Sequence, residues 1–279
     1  MECRLDRITV HYEAFGEGRP LVVLPGWPDP WQVPADYLEP LFERRSGWRR
    51  MYLDLPGRGE TPGEPWITNN DQVLEIVLDV IDRLIPDQRF VIAGHSAGAH
   101  LARAIVQERE ERMDGLLQVV PVIGDEKPPA RLTLEADDEL IRRIAAESGE
   151  VEARDFADFF VVQKASVYEA LVRIRPSLRT ADKAFLDRLD DRISRPVDPP
   201  LTPFAKPTLF VLGRQDSVVG YRGAFALTDG YPRATVAVLD RAGHGLPWEQ
   251  PELFAALVSD WLDRVEQEGR RRPEATRGP

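Results

Sequence analysis

Ser96 stands at the centre of Gly94-His95-Ser96-Ala97-Gly98, between the apolar run Phe90–Ala93 and a helix-like stretch beginning at His100 and Leu101. A serine on so sharp a strand-to-helix turn is forced into strained backbone. Only small residues two positions to either side let the chains pass closely, and Gly94 and Gly98 fill both places. A serine hydroxyl is a weak nucleophile at neutral pH, so it needs a base within hydrogen-bond reach and a third group that orients the base.

The chain offers four histidines. His11 falls in an early strand, and His95 and His100 flank the turn and are locked in its packing. His244, in Asp240-Arg241-Ala242-Gly243-His244-Gly245, follows the apolar run ending at Leu239. It therefore emerges on a loop at the carboxyl end of a strand, where sites form in open α/β sheets. The orienting acid is read as Asp216, beyond the run Pro207–Leu212. Asp125, after the strand ending near Ile123, is the alternative, and capping a turn or helix start is the competing role for Asp216.

Acyl chemistry also needs backbone donors aimed at the developing oxyanion. The amide of Ala97 is one candidate. The other is the amide of Trp27, in Leu24-Pro25-Gly26-Trp27-Pro28-Asp29, where Gly26 permits a tight turn; the Trp27 ring can equally serve as pocket wall. Trp31, Phe156, Phe159, Phe160 and Tyr168 are candidates for an apolar pocket, against the commoner use of such aromatics in a core. Arg154, Lys164, Arg173 and Arg175 read as solvated helix faces.

The elements that must position these residues are legible as apolar patterns. Ile8, Val10 and Tyr12 alternate with polar neighbours as an early antiparallel strand. The runs Leu21–Leu24, Met51–Leu53, Phe90–Ala93, Leu116–Val120, Pro207–Leu212 and Thr235–Leu239 are apolar throughout, as in strands covered on both faces. Between them, Val73, Ile76, Val77, Val80, Ile81 and Leu84 trace one helical stripe, as do Leu253, Phe254, Leu257, Val258, Trp261, Leu262 and Val265. This alternation predicts an α/β fold with a mostly parallel, doubly wound sheet. The rhythm breaks between Gly124 and Ala205, where amphipathic helices recur without a buried strand and a proline-rich loop closes the segment. The reading is a core of residues 1–123 and 206–267, an inserted helical cap at 124–205 with elaborate crossover helices as the alternative, and a flexible tail at 268–279.

Bulk composition narrows the function. A chain of 279 residues can bury about three quarters of its unfolded surface and hold a deep pocket. A net charge of −11 argues against a nucleic-acid partner. A single cysteine, Cys3, leaves no intrachain disulfide and no multi-cysteine zinc site, and no metal is expected. With no export signal and no apolar run of about 20 residues, the expected place is the cytoplasm and no membrane partner is expected.

Four motifs together resemble the α/β-hydrolase superfamily, in the capped branch that contains esterases, epoxide hydrolases and dehalogenases. They are Pro25-Gly26-Trp27-Pro28-Asp29, similar to the family's oxyanion loop; Asp54-Leu55-Pro56-Gly57-Arg58-Gly59-Glu60-Thr61, similar to its glycine turn; the Ser96 elbow; and the pair Asp216 and His244. Their order, serine then aspartate then histidine, is the family's. The resemblance implies a cap over the pocket and no cofactor. Pro25 replaces the family's histidine, so rigidity of that loop falls to Pro25 and Pro28. Ser96 stands where epoxide hydrolases and dehalogenases carry aspartate, which argues against both activities, and Asp54 reads as turn chemistry. The expected function is hydrolysis of a small to medium, mainly apolar carboxylic ester, thioester or lactone, with a small-molecule substrate as partner. Carbon–carbon bond hydrolysis, amide or hydroxynitrile cleavage by the same triad, and a non-enzymatic receptor, are the alternatives.

Overall fold

The unbroken apolar runs serve two cores at once. The computed structural model describes residues 1–124, 128–129, 132–190, 192–194 and 196–271. Among them eight strands form one sheet: β1 (Glu2–Arg4), β2 (Thr9–Phe15), β3 (Arg19–Leu24), β4 (Trp48–Leu53), β5 (Phe90–His95), β6 (Met113–Val119), β7 (Thr208–Gly213) and β8 (Ala234–Leu239). Successive side chains of a strand point to opposite faces. Val22 and Leu24 of β3, Phe90 and Ile92 of β5 and Phe210 and Leu212 of β7 join one cluster. Their neighbours Leu21, Val23, Val91, Ala93, Leu209 and Val211 join the other.

The strand order is β1-β2-β4-β3-β5-β6-β7-β8. The β1/β2 and β2/β4 pairs are antiparallel and the others parallel. Leu24 lies in register with Gly94, His95 with Val119, Val119 with Val211, and Gly213 with Leu239. The loops that follow β3, β5, β7 and β8 therefore leave the sheet along one rim. β8 is the edge strand and is half-buried along its length, less covered than its apolar run suggests because no strand among the described residues pairs with its outer side.

Helices α1 (Gln32–Leu38), α2 (Asn70–Leu84) and α3 (Ala97–Arg109) cover the sheet. Asn69 starts α2 by accepting from the Gln72 amide at 3.1 Å, and the stripe from Val73 to Ile81 is buried. Between β6 and β7 come α4 (Asp138–Ser148), α5 (Glu150–Phe159), α6 (Ala165–Leu178) and α7 (Lys183–Leu186). Leu140, Ile144, Phe156, Phe160, Val167 and Tyr168 form a third cluster there, apart from the two faces of the sheet. After β7 follow α8 (Gly223–Ala226), α9 (Leu246–Glu249) and α10 (Pro251–Arg271). The last helix runs past Gln267 to Arg271, which corrects the expected start of the tail at residue 268. Glu268 is held by Arg233 at 2.8 Å, a contact that the fading apolar stripe does not show. No helix among the described residues is long and apolar enough to cross a membrane.

One buried charge pins the helix behind the elbow. Arg103 of α3 has no exposed surface; it donates to Asp198 Oδ1 and Oδ2 at 2.7 Å each, to Gln118 Oε1 at 2.6 Å and to the Val122 carbonyl at 2.6 Å. Removing one partner of a buried pair strands the other charge. Arg103→Met is expected to cost about 3 kcal/mol in urea unfolding, and a loss below about 1 kcal/mol would show that the network is dispensable.

Candidate active site

Ser96 has φ 52° and ψ −116°, a region that side-chain-bearing residues rarely occupy. Its amide donates to the Val119 carbonyl at 2.9 Å, and its carbonyl accepts from Ala99 at 3.1 Å and Val122 at 3.2 Å. These bonds hold the strain in place. The glycines on either side are explained by contact: a Cβ on Gly94 would lie 2.4 Å from Ala99 Cα, and one on Gly98 would lie 2.3 Å from the Pro25 carbonyl. A larger residue at position 94 would press on the first turn of the following helix, and one at position 98 on the end of β3.

His244 reaches Ser96 from the loop after β8. Its Nε2 is 3.1 Å from Ser96 Oγ and its Nδ1 is 2.8 Å from Asp216 Oδ2. Asp216 is fully buried, and its other oxygen accepts from the amides of Val218 at 2.9 Å and Val219 at 3.0 Å. Loop-to-loop bonds fix the pair: Arg214 donates to the Leu239 carbonyl and Gln215 to that of Ala242, both at 2.9 Å. The imidazole lies between the His95 ring, stacked at 5.6 Å, and the Phe159 ring at 6.2 Å. With Nδ1 donating to the carboxylate, Nε2 is free to accept the Ser96 proton. Asp125, the alternative acid, lies outside the described residues.

Two of the other histidines, His11 and His100, are engaged elsewhere, whereas His95 packs against His244 with neither ring nitrogen hydrogen-bonded to a described residue. His11 Nδ1 meets Asp54 Oδ2 at 2.8 Å, and Asp54 also accepts from the amides of Trp31 at 2.8 Å and Glu60 at 3.0 Å. Asp54 thus braces its turn. His100 Nδ1 lies 3.3 Å from Arg103 Nη2.

Trp27 and Ala97 both line the cavity beside Ser96. Neither amide has a protein acceptor among the described residues. Ala97 is the first residue of α3, where the helix dipole adds positive potential. The Trp27 ring stands largely exposed at the rim. Pro25 and Gly26 are held by packing against Gly98 and by the Asp29 amide, which donates to the Gly26 carbonyl at 3.1 Å.

The cavity is about 920 Å3. Phe156, Phe159 and Phe160 line it, whereas two other expected wall residues do not. Trp31 precedes α1 and turns its ring to Phe15, 6.1 Å away, because its amide is tied to Asp54. Tyr168 sits behind Phe156, its hydroxyl 3.0 Å from Ser148 Oγ. Helical spacing gives the apolar side of a helix but not which residue on it reaches the ligand. Arg175, expected on a solvated face, instead lines the cavity and pairs with Glu152.

Two charged residues escaped the pattern reading. Arg58, on the glycine turn, is 4% exposed and lines the cavity, and burial lowers its pKa to about 10 against the pull of Asp29 and Asp54. Glu249, also buried, accepts from Gly243 and Val161 at 2.6 Å each and from Val162 at 3.3 Å. Burial raises its carboxyl above the ordinary carboxylate range despite those three donors. The only hints in the sequence are a cation inside a glycine turn and an acid ending the apolar stretch Leu246-Pro247-Trp248. Among the described residues, no group of three acidic, histidine or cysteine side chains is placed to hold a metal ion.

The chain is similar to known hydrolases over most of its length. The chain is 26% identical over 271 residues to 2-hydroxy-6-oxononadienedioate/2-hydroxy-6-oxononatrienedioate hydrolase 2 of Pseudomonas putida, covering 94% of this chain and 93% of that one. It is 25% identical to the pimeloyl-[acyl-carrier protein] methyl ester esterase of Aeromonas hydrophila, covering 91% of this chain and all of the relative. The crystal structure of an alpha/beta superfamily hydrolase from Oenococcus oeni superposes with a TM-score of 0.84 at 26% identity, over 95% of this chain and 99% of that one. Residues 21–257 match the alpha/beta hydrolase family; with its parallel sheet and the serine elbow at the sheet's rim, the chain belongs to that family and is a hydrolase.

Proposed function

We propose that the enzyme cleaves a carboxylic ester, thioester or lactone through an acyl-enzyme on Ser96. The observation that carries this reading is the continuous contact from Asp216 through His244 to Ser96 Oγ, at 2.8 Å and 3.1 Å. Ser96 Oγ attacks the acyl carbon as His244 Nε2 takes its proton. The same nitrogen returns the proton to the departing oxygen or sulfur, and water then releases the acyl group by the reverse sequence. The amides of Trp27 and Ala97 receive the oxyanion, each supplying roughly 3 kcal/mol of barrier lowering. Residues 124–205 act as the cap, whose Phe156, Phe159 and Phe160 shield the acyl-enzyme from solvent. The substrate is a small molecule of a size that fits the cavity, and the buried free thiol of Cys3 suits the reducing cytoplasm.

A second reading has one observation in its favour: the similarity over nearly the whole chain to a hydrolase of 2-hydroxy-6-oxononadienedioate. The same three side chains would then act on that class of oxo acid. A fluorophosphonate probe followed by peptide mapping tests what both readings share. Labelling is expected on Ser96, absent in Ser96→Ala and strongly slowed in His244→Ala. A folded wild-type protein that remains unlabelled removes the serine mechanism.

A further inference from the structure

Arg58 is a buried cation that no described side chain pairs with directly, although Asp29 and Asp54 lie near enough for their charges to favour it. Its backbone is committed to the turn, with the amide on Leu55 and the carbonyl receiving Thr61, but its guanidinium makes no hydrogen bond and no ion pair to any described residue. Nε is fully enclosed with no acceptor. Nη1 and Nη2 likewise have no acceptor among the described residues, and the residue lines the cavity. Neither neighbouring carboxylate fills the need. Both oxygens of Asp54 are taken by the Trp31 amide, His11 and the Glu60 amide. Asp29 lies 3.5 Å from His95 Nδ1 and beyond ion-pair reach of Arg58. The other guanidinium of the cavity, Arg175, is answered by Glu152. A buried guanidinium is costly unless it is paired, and its planar fork of donors matches a carboxylate.

We propose that Arg58 forms an anion subsite in the Ser96 cavity and that the natural substrate carries a carboxylate, remote from the bond being cleaved, which docks on that guanidinium. This rests on the hydrolase reading above and sharpens it: the acyl substrate, expected from the aromatic residues to be mainly apolar, is a half-ester or related derivative of a dicarboxylic acid. Asp29 stands near the same wall and disfavours a second free charge, so the preferred ligand bears one carboxylate. The apolar cap surface then covers the carbon chain between the anchored anion and the acyl carbon at Ser96.

The experiment is calorimetric titration of folded Ser96→Ala protein, which cannot form the acyl-enzyme, with monomethyl esters of dicarboxylic acids from succinate to suberate. Each is paired with the neutral methyl ester of the same chain length. At one length the anionic ester is expected to bind ~10–100-fold more tightly, the effect of a charge-assisted bidentate contact. Adding Arg58→Gln should abolish that preference, and Arg58→Lys, which keeps the charge without the fork, should retain part of it. Equal binding of charged and neutral esters at every length overturns the proposal, whether or not the Gln variant folds, and so does a preference that survives Arg58→Gln. Fluorophosphonate labelling of the wild type is read separately. Labelling without anion preference defeats this inference and leaves the hydrolase reading intact, whereas anion preference without labelling supports the subsite and defeats the serine mechanism.

Discussion

Asp216→Asn is expected to lower kcat by roughly 10^4-fold while leaving the fold and KM nearly unchanged. The size of the effect follows from the donors around this carboxylate. One oxygen already accepts from the amides of Val218 and Val219, and the other accepts from His244 Nδ1. An asparagine must keep its carbonyl toward the two amides, because its NH2 group there would meet two donors. The NH2 group is then turned to His244, whose Nδ1 becomes the acceptor and whose proton moves to Nε2. In that tautomer Nε2 faces Ser96 Oγ as a donor and cannot take its proton. The measurement is kcat and KM on a short-chain 4-nitrophenyl ester, with circular dichroism to verify folding. A variant that keeps a tenth of the activity would assign the orienting acid to another residue, with Asp125 first in line.

The parts of this site that can be read from the sequence are those governed by local sterics and by position on the sheet. Gly94 and Gly98 are demanded by contacts with Ala99 and Pro25 that any serine elbow would impose. Asp216 and His244 are found because both follow apolar runs, and runs apolar on two faces mark strands whose ends share a rim. What escapes is set by contacts between distant segments. Trp31 and Phe159 are both aromatic residues near helix ends, yet one is drawn to Phe15 by the bond between its amide and Asp54, and the other reaches His244. Arg58 looks like a turn residue until the fold buries it with no hydrogen bond from its guanidinium to a described residue. Near the end of the last helix, Glu268 accepts from Arg233, just before β8, a partner that no local pattern supplies.

Glu249 offers the second large effect. Its Oε2 receives the amide of Gly243, directly before His244, while its Oε1 receives those of Val161 and Val162, just beyond α5. One buried carboxylate thus ties the histidine loop to the segment bearing Phe159 and Phe160. Glu249→Leu removes the acceptor from three buried N–H groups. At about 1–3 kcal/mol for each unsatisfied group, the expected loss is roughly 4–6 kcal/mol, tempered by relief from burying a charge. Glu249→Gln is milder, because an amide supplies only one oxygen and turns a donor to either Gly243 or the Val161 pair. Since that donor conflict loosens the His244 loop, kcat should fall roughly 10–100-fold with little change in KM, for a displacement of the base reduces proton transfer more than binding. Linkage gives a second readout. The Glu249 carboxyl titrates above its ordinary range in the folded state because of burial, so the unfolded chain releases its proton first as pH rises. The stability advantage of wild type over Glu249→Gln should therefore be greatest at acid pH, below the ordinary carboxylate value, and shrink as pH rises through the folded one. Urea unfolding of both proteins across that range tests it. An advantage that grows with pH would mean that the three amide donors outweigh burial and that Glu249 is held ionised as a permanent anchor.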